Sequence, residues 1–397
     1  MRLVHLSDLH LGYRQYQRLT PMGVNQREWD VALTFKRAID RVIALRPDLV
    51  LVAGDVFHGS RPTNAAILHA FRQFARLRGE LRDAVIVMVA GNHDTPRTSE
   101  SGSIMGLFEQ IGIHVAASEA RSFSFPDRDL VVVGVPDVPG ERMPVPPADA
   151  RYKVLVMHAD VTDVVPRFYA ELDRAAVQLT RRDLAPSRWS YQALGHYHVH
   201  RRVDDNAFYA GSIDYTSLNV WGDKRDEEEL GLEGKGFIEF DLETGTHVFQ
   251  SLPSSREFLD LPPVNARNMT VAEVDAAIKK TVERVKGGID DKVVRLVVRD
   301  IPRQVARELD HRAIRDYKRR ALNFVLDTRK PESAVRAASG APARRPSVLE
   351  VVREQLRARE IPADLDRARL VELGMQYLGD ADAFPAADAA MTASGEG

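Results

Sequence analysis

The sequence predicts an α/β protein in which layered β-sheets flanked by helices form a first domain and a smaller α/β domain follows. Three observations carry this prediction. Strand and helix patterns alternate over residues 1 to about 255, as they do in α/β domains. Five short apolar runs in that region end in polar side chains of metal-binding type. The chain of 397 residues is also longer than one compact core usually holds.

The strand predictions rest on apolar runs of four to six residues, each followed by glycine or a polar residue. These runs are residues 3–6, 49–53, 85–90, 154–157 and 191–194. Two helices are predicted among them, at residues 28–45 and 64–77, because apolar side chains recur there at helical spacing. A hairpin of residues 236–241 and 246–252 closes this first domain, which we place at residues 1–255.

The pattern changes after Leu261-Pro262-Pro263. A capping box formed by Thr270 and Glu273 begins a helix. Strand, helix and strand patterns follow at residues 292–298, 303–317 and 321–326. We therefore predict a small second α/β domain at residues 262–329.

The remaining sequence predicts a tether and a helical pair. Residues 330–346 are rich in Ala, Pro, Ser and Arg and lack an apolar period, which indicates a linker. A second capping box, Ser347 with Glu350, begins a helix-loop-helix over residues 347–378, with helices at 347–360 and 364–378. We expect residues 379–397 to be a disordered tail.

Composition narrows the chemistry. Hydrophobic residues make up 44% and charged residues 28% of the chain, which is ordinary for a soluble globular protein. The chain has no cysteine, so oxygen and nitrogen atoms must hold any metal. Since the first strand leaves no room for a signal peptide and no apolar stretch could cross a bilayer, we expect no membrane association and a cytoplasmic location.

Charge is unevenly distributed although the net charge is only −2. Residues 303–345 contain twelve Lys or Arg against five Asp or Glu, which makes this stretch a candidate for phosphate contact. Residues 223–233 are acidic instead. We interpret the acidic run as a solvated face.

Seven side chains of metal-binding type follow the predicted strands. They are Asp8, His10, Asp55, Asn92, His158, His196 and His198. Because ligands gather at the carboxyl ends of strands in α/β sheets, we expect these side chains to converge on one site. Half of the chain's twelve histidines lie in the same motifs, at positions 10, 58, 93, 158, 196 and 198.

These side-chain types predict a pair of divalent cations. Two cations a few ångströms apart repel each other, so a carboxylate must bridge them, and Asp55 is the natural bridge. Such pairs, about 3.5–4 Å apart, stabilise displacement at phosphorus. A mixture of imidazole, carboxylate and amide ligands suits Mn²⁺, Fe²⁺ or Zn²⁺ better than Mg²⁺ or Ca²⁺. The sequence therefore indicates a two-metal hydrolase.

The order of these motifs resembles the calcineurin-like metallophosphoesterase superfamily and, within it, the SbcD-like DNA repair nucleases. The matching motifs are Asp8-Leu-His10-Leu-Gly12, Gly54-Asp55-Val-Phe-His58, Gly91-Asn-His-Asp94, His158 and Gly195-His-Tyr-His198. They cover about the first 240 residues. The resemblance implies metallophosphoesterase-type layered β-sheets flanked by helices, a small α/β capping domain and a C-terminal helical pair.

The resemblance also implies a role for each site residue. One cation would be held by Asp8, His10, Asp55 and His198, and the other by Asp55, Asn92, His158 and His196. His93, paired with Asp94, would protonate the leaving oxygen or stabilise charge in the transition state, and His58 would orient the scissile phosphate. The implied cofactors are two divalent metal ions, and we expect both to be Mn²⁺.

By the same resemblance, the protein is expected to be a two-metal DNA hydrolase of double-strand-break repair, located at the nucleoid. It would act as an exonuclease on duplex ends and as an endonuclease on single strands. The capping domain would position DNA, the helical pair would dock on an SbcC-like SMC-type ATPase, and the chain would form a homodimer. The sequence departs from the family pattern between Asn219 and Lys235, where Trp221 and the acidic run replace an expected shorter loop.

Two other functions compete with this expectation. A small-molecule phosphodiesterase acting on cyclic nucleotides would need neither the basic stretch nor the terminal helices. A non-catalytic scaffold for DNA ends would need no His93 at the transition state.

Overall fold

The computed structural model describes residues 1–96, 102–146, 150–166, 173–331, 356, 366 and 368–377. The chain divides into two compact units, Met1–Lys330 and Pro331–Gly397. In the second unit, residues 368–377 are helical, inside the helix predicted at 364–378. Most of the predicted linker, the helix at 347–360 and the tail lie outside the described residues.

The strands and helices of the first unit are numbered in chain order. The strands are β1 (Arg2–Leu6), β2 (Leu49–Ala53), β3 (Val85–Val89), β4 (His114–Ala116), β5 (Arg121–Phe125), β6 (Leu130–Val135), β7 (Tyr152–His158), β8 (Asp160–Val161), β9 (Gln178–Leu179), β10 (Tyr191–Gly195), β11 (Arg201–Asp204), β12 (Ala207–Tyr209), β13 (Gly236–Asp241), β14 (His247–Ser251), β15 (Phe258–Asn265), β16 (Val293–Arg299) and β17 (Asn323–Thr328). The α-helices are α1 (Gln26–Leu45), α2 (Asn64–Glu80), α3 (Val220–Glu229), α4 (Val271–Glu283), α5 (Arg303–Glu308) and α6 (His311–Arg320). Short 3-10 helices lie at Ile104–Ile111, Pro126–Arg128 and Pro186–Arg188. Within the described ranges, no helix combines the length and the apolarity that a membrane span requires.

Two six-stranded sheets form the layers of the fold. Their strand orders are β14-β13-β1-β2-β3-β4 and β11-β12-β10-β7-β6-β5. Leu51 on β2 and Val156 on β7 belong to one buried cluster between the sheets. Phe35 of α1 and Phe74 of α2 pack with Val52 on the outer face of the first sheet. The predicted layered α/β fold is confirmed.

Local sequence explains where these elements begin and end. Every residue of β2 and β3 is buried, as expected for parallel strands covered on both faces. Helix α1 begins after Asn25, whose side chain accepts hydrogen bonds from the first backbone N–H groups. Helix α2 begins after Thr63 in the same way. Both predicted helices are confirmed, α1 starting two residues earlier and α2 ending three residues later than expected.

A third sheet, β15-β16-β17, is parallel and has a core of its own with α4 and α6. The predicted domain boundary at residue 262 falls inside strand β15. Pro262 and Pro263 are tolerated because β15 is an edge strand and its register with β16 shifts between Leu261 and Val264. The helix predicted at 303–317 is two helices, since Asp310 caps a new one.

Buried charges of α1 connect this helix with the loop after β12 and with Arg256, which lies just before β15. The guanidinium of Arg27 on α1 is fully buried and donates to Asp214 at 3.0 Å and to the Tyr215 carbonyl at 3.0 Å. Asp30 on the same helix accepts from Arg256, which also donates to the Asp291 carbonyl at 2.7 Å. A buried charge is stable only with partners, so these contacts must form together.

The acidic run is a solvated face only in part: Glu228, Glu229 and Glu233 are exposed, but other residues of the run are not. It forms α3, in which Asp223 and Glu227 are buried. Each lies 2.9 Å from the buried Nζ of Lys235. A lysine removed from water needs carboxylate partners, and the run supplies them. Lys235 also donates to the His198 carbonyl at 2.8 Å, which connects α3 to the predicted metal ligands.

Candidate metal centre

The sheet topology brings the seven predicted ligands to one edge. Asp8 and His10 follow β1, Asp55 follows β2 and Asn92 follows β3, and these three strands are parallel neighbours. In the second sheet, β7 and β10 are also parallel, and their register pairs His158 with Gly195. His196 and His198 come directly after that pair. The carboxyl ends of five strands thus meet across the two sheets.

Distances show how closely the ligand atoms approach. The ligand atoms of Asp8, His10 and His198 lie within 4.8 Å of one another, and so do those of Asp8, Asp55 and His158. Oδ2 of Asp55 is 3.6 Å from Nε2 of His10 and 3.6 Å from Nε2 of His158. One carboxylate oxygen therefore lies between two imidazoles, as a bridging ligand would. Asp8 belongs to both of these groups of three ligands, whereas the sequence was interpreted as placing it at one cation only.

Hydrogen bonds orient the ligands as a metal site requires. Nδ1 of His158 is 2.9 Å from the Ala53 carbonyl, which can only accept, so Nδ1 carries the proton. Nε2 of His158 then faces Oδ1 of Asn92 at 3.0 Å, and Nδ2 of Asn92 donates to Asp173. Two acceptor atoms face each other across that gap unless a cation or a further proton lies between them. The donor set therefore fits a bound metal ion.

The backbone at several ligands is left-handed. Asp8, His10 and Asp55 have φ angles of 52°, 45° and 51°, and His196 has a φ of 109°. Such conformations cost about 1–3 kcal/mol each in residues other than glycine and cluster at functional sites. Asp and His adopt them more readily than most residue types. The strain is concentrated where the ligand side chains must turn toward one point.

Close packing at Gly195 gives a test of this geometry. A Cβ added there would lie 1.7 Å from the Ala53 carbonyl oxygen of the other sheet. We expect Gly195→Ala to lower the free energy of unfolding by about 3 kcal/mol or more, measured by urea denaturation in EDTA. Gly106→Ala is the matched control, because nothing lies within 4 Å of its added Cβ. Equal stabilities of the two variants would contradict the packing described here.

Burial sets the protonation of the cluster. Burial, then the charge of His198, hold the pKa of His10 well below its usual value. Burial, then the charge of Lys235, do the same to the pKa of His198. Neutral imidazole is the form that binds metals. Burial also raises the pKa of both Asp8 and Asp55 to about 6, so each carboxylate would be stabilised by a nearby cation.

His93 lies beside the cluster with both ring nitrogens engaged. Nδ1 is 2.9 Å from the His58 carbonyl, and Nε2 is 3.2 Å from a carboxylate oxygen of Asp173. Burial lowers the pKa of His93, but the hydrogen bond with Asp173 and the charges of Asp55 and Asp173 outweigh it and raise that pKa to about 10. Since both partners accept hydrogen bonds, the ring carries two protons. His93 is therefore placed as a proton donor.

The expected pairing of His93 with Asp94 is wrong. The Asp94 carboxylate is fully buried and accepts from the backbone N–H groups of Val56, Phe57 and Gly91 at 2.8–3.1 Å. Through these bonds Asp94 fixes the loops after β2 and β3 instead. The partner of His93 is Asp173, which no motif or strand end marked in the sequence.

Asp160 is a second residue that the sequence analysis missed. Nε2 of His196 lies 3.2 Å from Oδ1 of Asp160 and 3.1 Å from the Asp173 carbonyl. A histidine that holds a metal through one nitrogen usually donates to a carboxylate or carbonyl through the other, and Asp160 fits that role. The spacing His158-x-Asp160 at the end of β7 mirrors Asp8-x-His10 and could have indicated it.

The cluster opens into a pocket of about 300 Å³. Its lining consists of four imidazoles, one carboxylate and one loop: His10, His58, His93 and His198, Asp173, and Thr216, Ser217, Leu218 and Asn219. His58 stacks on His93 with ring centroids 5.3 Å apart, and its Nδ1 is 3.3 Å from Nδ1 of His10. Burial, then the charge of His93, lower the pKa of His58 to about 4. The pocket thus offers one neutral and one protonated imidazole beside the ligand cluster, an arrangement suited to hydrolysis of a phosphate ester.

Comparison with known proteins gives a consistent result. The family model described as calcineurin-like phosphoesterase matches residues 1–215. This match covers more than half of the chain and includes every predicted site residue.

Several archaeal proteins named "DNA double-strand break repair protein Mre11" are similar to this chain. The protein of Methanococcus maripaludis is 28% identical over 261 residues, which cover 61% of this chain and 63% of the relative. That of Archaeoglobus fulgidus is 31% identical over 266 residues, covering 60% and 56%. That of Methanosarcina mazei is 23% identical over 362 residues, covering 80% and 55%. The chain thus spans less than two thirds of the length of these relatives.

Proposed function

Since the chain belongs to the calcineurin-like phosphoesterase family, we propose that it is a two-metal DNA phosphodiester hydrolase of double-strand-break repair. It would cut duplex DNA from its ends and single strands internally. The observation that carries the proposal is the single Asp55 oxygen 3.6 Å from the ring nitrogens of both His10 and His158. The names of the archaeal relatives support DNA as the substrate.

The grouping of Asp8 with His10 and His198, and of Asp55 with His158, supports the following ligand sets. Asp8, His10, Asp55 and His198 would hold one divalent cation, and Asp55, Asn92, His158 and His196 the other. When bound, such cations polarise the phosphoryl group and supply a nucleophilic hydroxide at neutral pH. Mn²⁺ is the ion we propose, because the ligands mix imidazole nitrogens with carboxylate and amide oxygens.

Residues of the chain itself would handle the substrate. His58 lines the pocket and is neutral, so its ring N–H would donate to an oxygen of the scissile phosphate and orient it. His93 would hold a proton on Nε2 and deliver it to the leaving oxygen. Asp173 would position the His93 ring and keep it protonated, since it accepts from Nε2 at 3.2 Å.

Substrate assays test this proposal against its two rivals. Purified protein with Mn²⁺ is offered linear duplex DNA, circular single-stranded DNA and cyclic AMP. We expect cleavage of both DNAs and little hydrolysis of cyclic AMP. Turnover of the cyclic nucleotide alone would establish the small-molecule phosphodiesterase instead. Binding of DNA ends without hydrolysis in any metal would establish the non-catalytic scaffold.

We further propose that residues 262–329 cap the site, that the chain forms a homodimer, and that residues 347–378 dock on an SbcC-like SMC-type ATPase. Truncation after Lys330 tests the last point, because Met1–Lys330 is a compact unit by itself. The shortened chain should keep metal-dependent cleavage and lose capture of the ATPase in a pull-down. A chain ending at residue 378 is the control and should retain capture. Capture by the shorter chain would contradict docking through the helical pair.

A further inference from the structure

A second cavity adjoins the catalytic pocket. It is a groove of about 510 Å³ between α3 and the small sheet β15-β16-β17. Asn219 lines both the groove and the catalytic pocket, so the two spaces lie on either side of that residue. One wall of the groove is α3, which lies where the sequence departs from the family pattern. Apart from Asn219, no described residue of the groove's lining also lines the catalytic pocket.

The groove is positively charged on both walls. Lys224 and Arg225 project from α3, and Arg295, Arg299 and Arg329 from the small sheet or directly after it. The carboxylates of its lining are only Glu228 and Asp260 among the described residues. Five cations against two carboxylates in the lining leave an excess of positive charge, and such a groove attracts a polyanion.

Contacts of these cations show which of them remain available. Asp260 fixes Arg295 through a 2.9 Å hydrogen bond, and the guanidinium lies 4.8 Å above the ring of Trp221. Arg329 pairs with Asp327 at 2.8 Å. Within the described part of the chain, neither Lys224 nor Arg299 forms an ion pair. These two side chains, one on each wall, can therefore bind phosphates without first losing a carboxylate partner.

From these observations, and resting on the proposed function, we propose that the groove binds the sugar-phosphate backbone of a single nucleic-acid strand next to the scissile phosphate. A groove of about 510 Å³ is too small to enclose a duplex, whose major groove alone is about 12 Å wide, but it has room for a short stretch of one strand. Cationic grooves that follow a backbone are typical of single-strand binding. The strand would leave the catalytic pocket past Asn219 and run between Lys224 and Arg299.

The test compares two double variants in the Mn²⁺-loaded protein. Lys224→Gln/Arg299→Gln removes the two available cations. Lys279→Gln/Arg312→Gln removes the same charge from exposed positions outside the groove. For each, kcat/KM is measured on a single-stranded oligonucleotide, a blunt duplex and bis(4-nitrophenyl) phosphate at several salt concentrations.

We expect the groove variant to lose on the order of tenfold in kcat/KM on the single strand, with a salt dependence weaker by about 0.7 per lost phosphate contact. The blunt duplex should lose less, and the small ester should be hydrolysed as by the wild type, because neither residue lines the catalytic pocket. If the groove variant has the same kcat/KM values as the control variant, the groove assignment is wrong but the proposed function is not affected. An equal loss on the duplex would overturn the single-strand assignment. A wild type that hydrolyses the small ester but no DNA would refute the proposed function, and the groove proposal with it.

Discussion

Asp55→Asn is expected to abolish phosphodiester hydrolysis and to empty both metal positions. The substitution keeps the shape of the side chain but removes the charge that would balance the two proposed cations, and one oxygen of this carboxylate lies 3.6 Å from His10 and from His158. We expect turnover to fall by about 10³-fold or more, because the cations supply several kcal/mol of transition-state stabilisation. Metal content, measured by inductively coupled plasma mass spectrometry, should fall from about two ions per chain to near zero.

Asp40→Asn is the matched control for this experiment. Asp40 is a partly exposed carboxylate on α1 that pairs with Lys36 and Arg76, away from the ligand cluster. Its loss should change neither metal content nor turnover. An Asp55→Asn protein that still binds both metals and cleaves DNA would refute the bridging assignment.

His93→Ala is expected to keep both metals and DNA binding but to lose turnover by about 10²–10³-fold, because proton donation and charge stabilisation at the leaving oxygen are both removed. Nε2 of His93 is held by Asp173 and not by any residue of the ligand cluster. His311→Ala, at an exposed position on α6, should leave turnover unchanged. Loss of metal from His93→Ala would show that this histidine is a ligand instead.

Asp173→Asn separates proton donation from ligand binding. The charge and hydrogen bond of Asp173 help to raise the pKa of His93 to about 10, so their loss should lower that pKa toward the usual value. A general acid works only below its pKa. The pH at which activity declines on the alkaline side should therefore move downward in this variant, while metal content stays constant. An unchanged pH–rate profile would mean that Asp173 does not govern His93.

The sequence predicted best those candidate ligands that lie at the end of a strand or within two residues of it. An apolar run ends at a known residue, and parallel strands bring their carboxyl ends to one edge, so the sequence alone predicts that Asp8, Asp55 and His158 lie together. The glycines in the same motifs supported this placement, since Gly195 lies too close to Ala53 for any side chain.

Other features depend on contacts between distant segments, which one-dimensional patterns do not carry. Asp173 reaches His93 from 80 residues away, and no periodicity marks it. Asp223 and Glu227 of α3 look solvated in the sequence, because only the fold shows that the chain turns back and buries Lys235 between them. Strand β15 was missed because two prolines normally end a strand, and only its position at the edge of a sheet makes them tolerable.

Those two prolines have a further effect on how the molecule behaves among copies of itself. An exposed edge strand is a template on which another chain can add by backbone pairing, which leads to aggregation. Pro262 and Pro263 have no amide hydrogen to offer such an incoming strand. The two prolines thus oppose polymerisation, because they weaken backbone pairing with other chains at this edge of the small sheet.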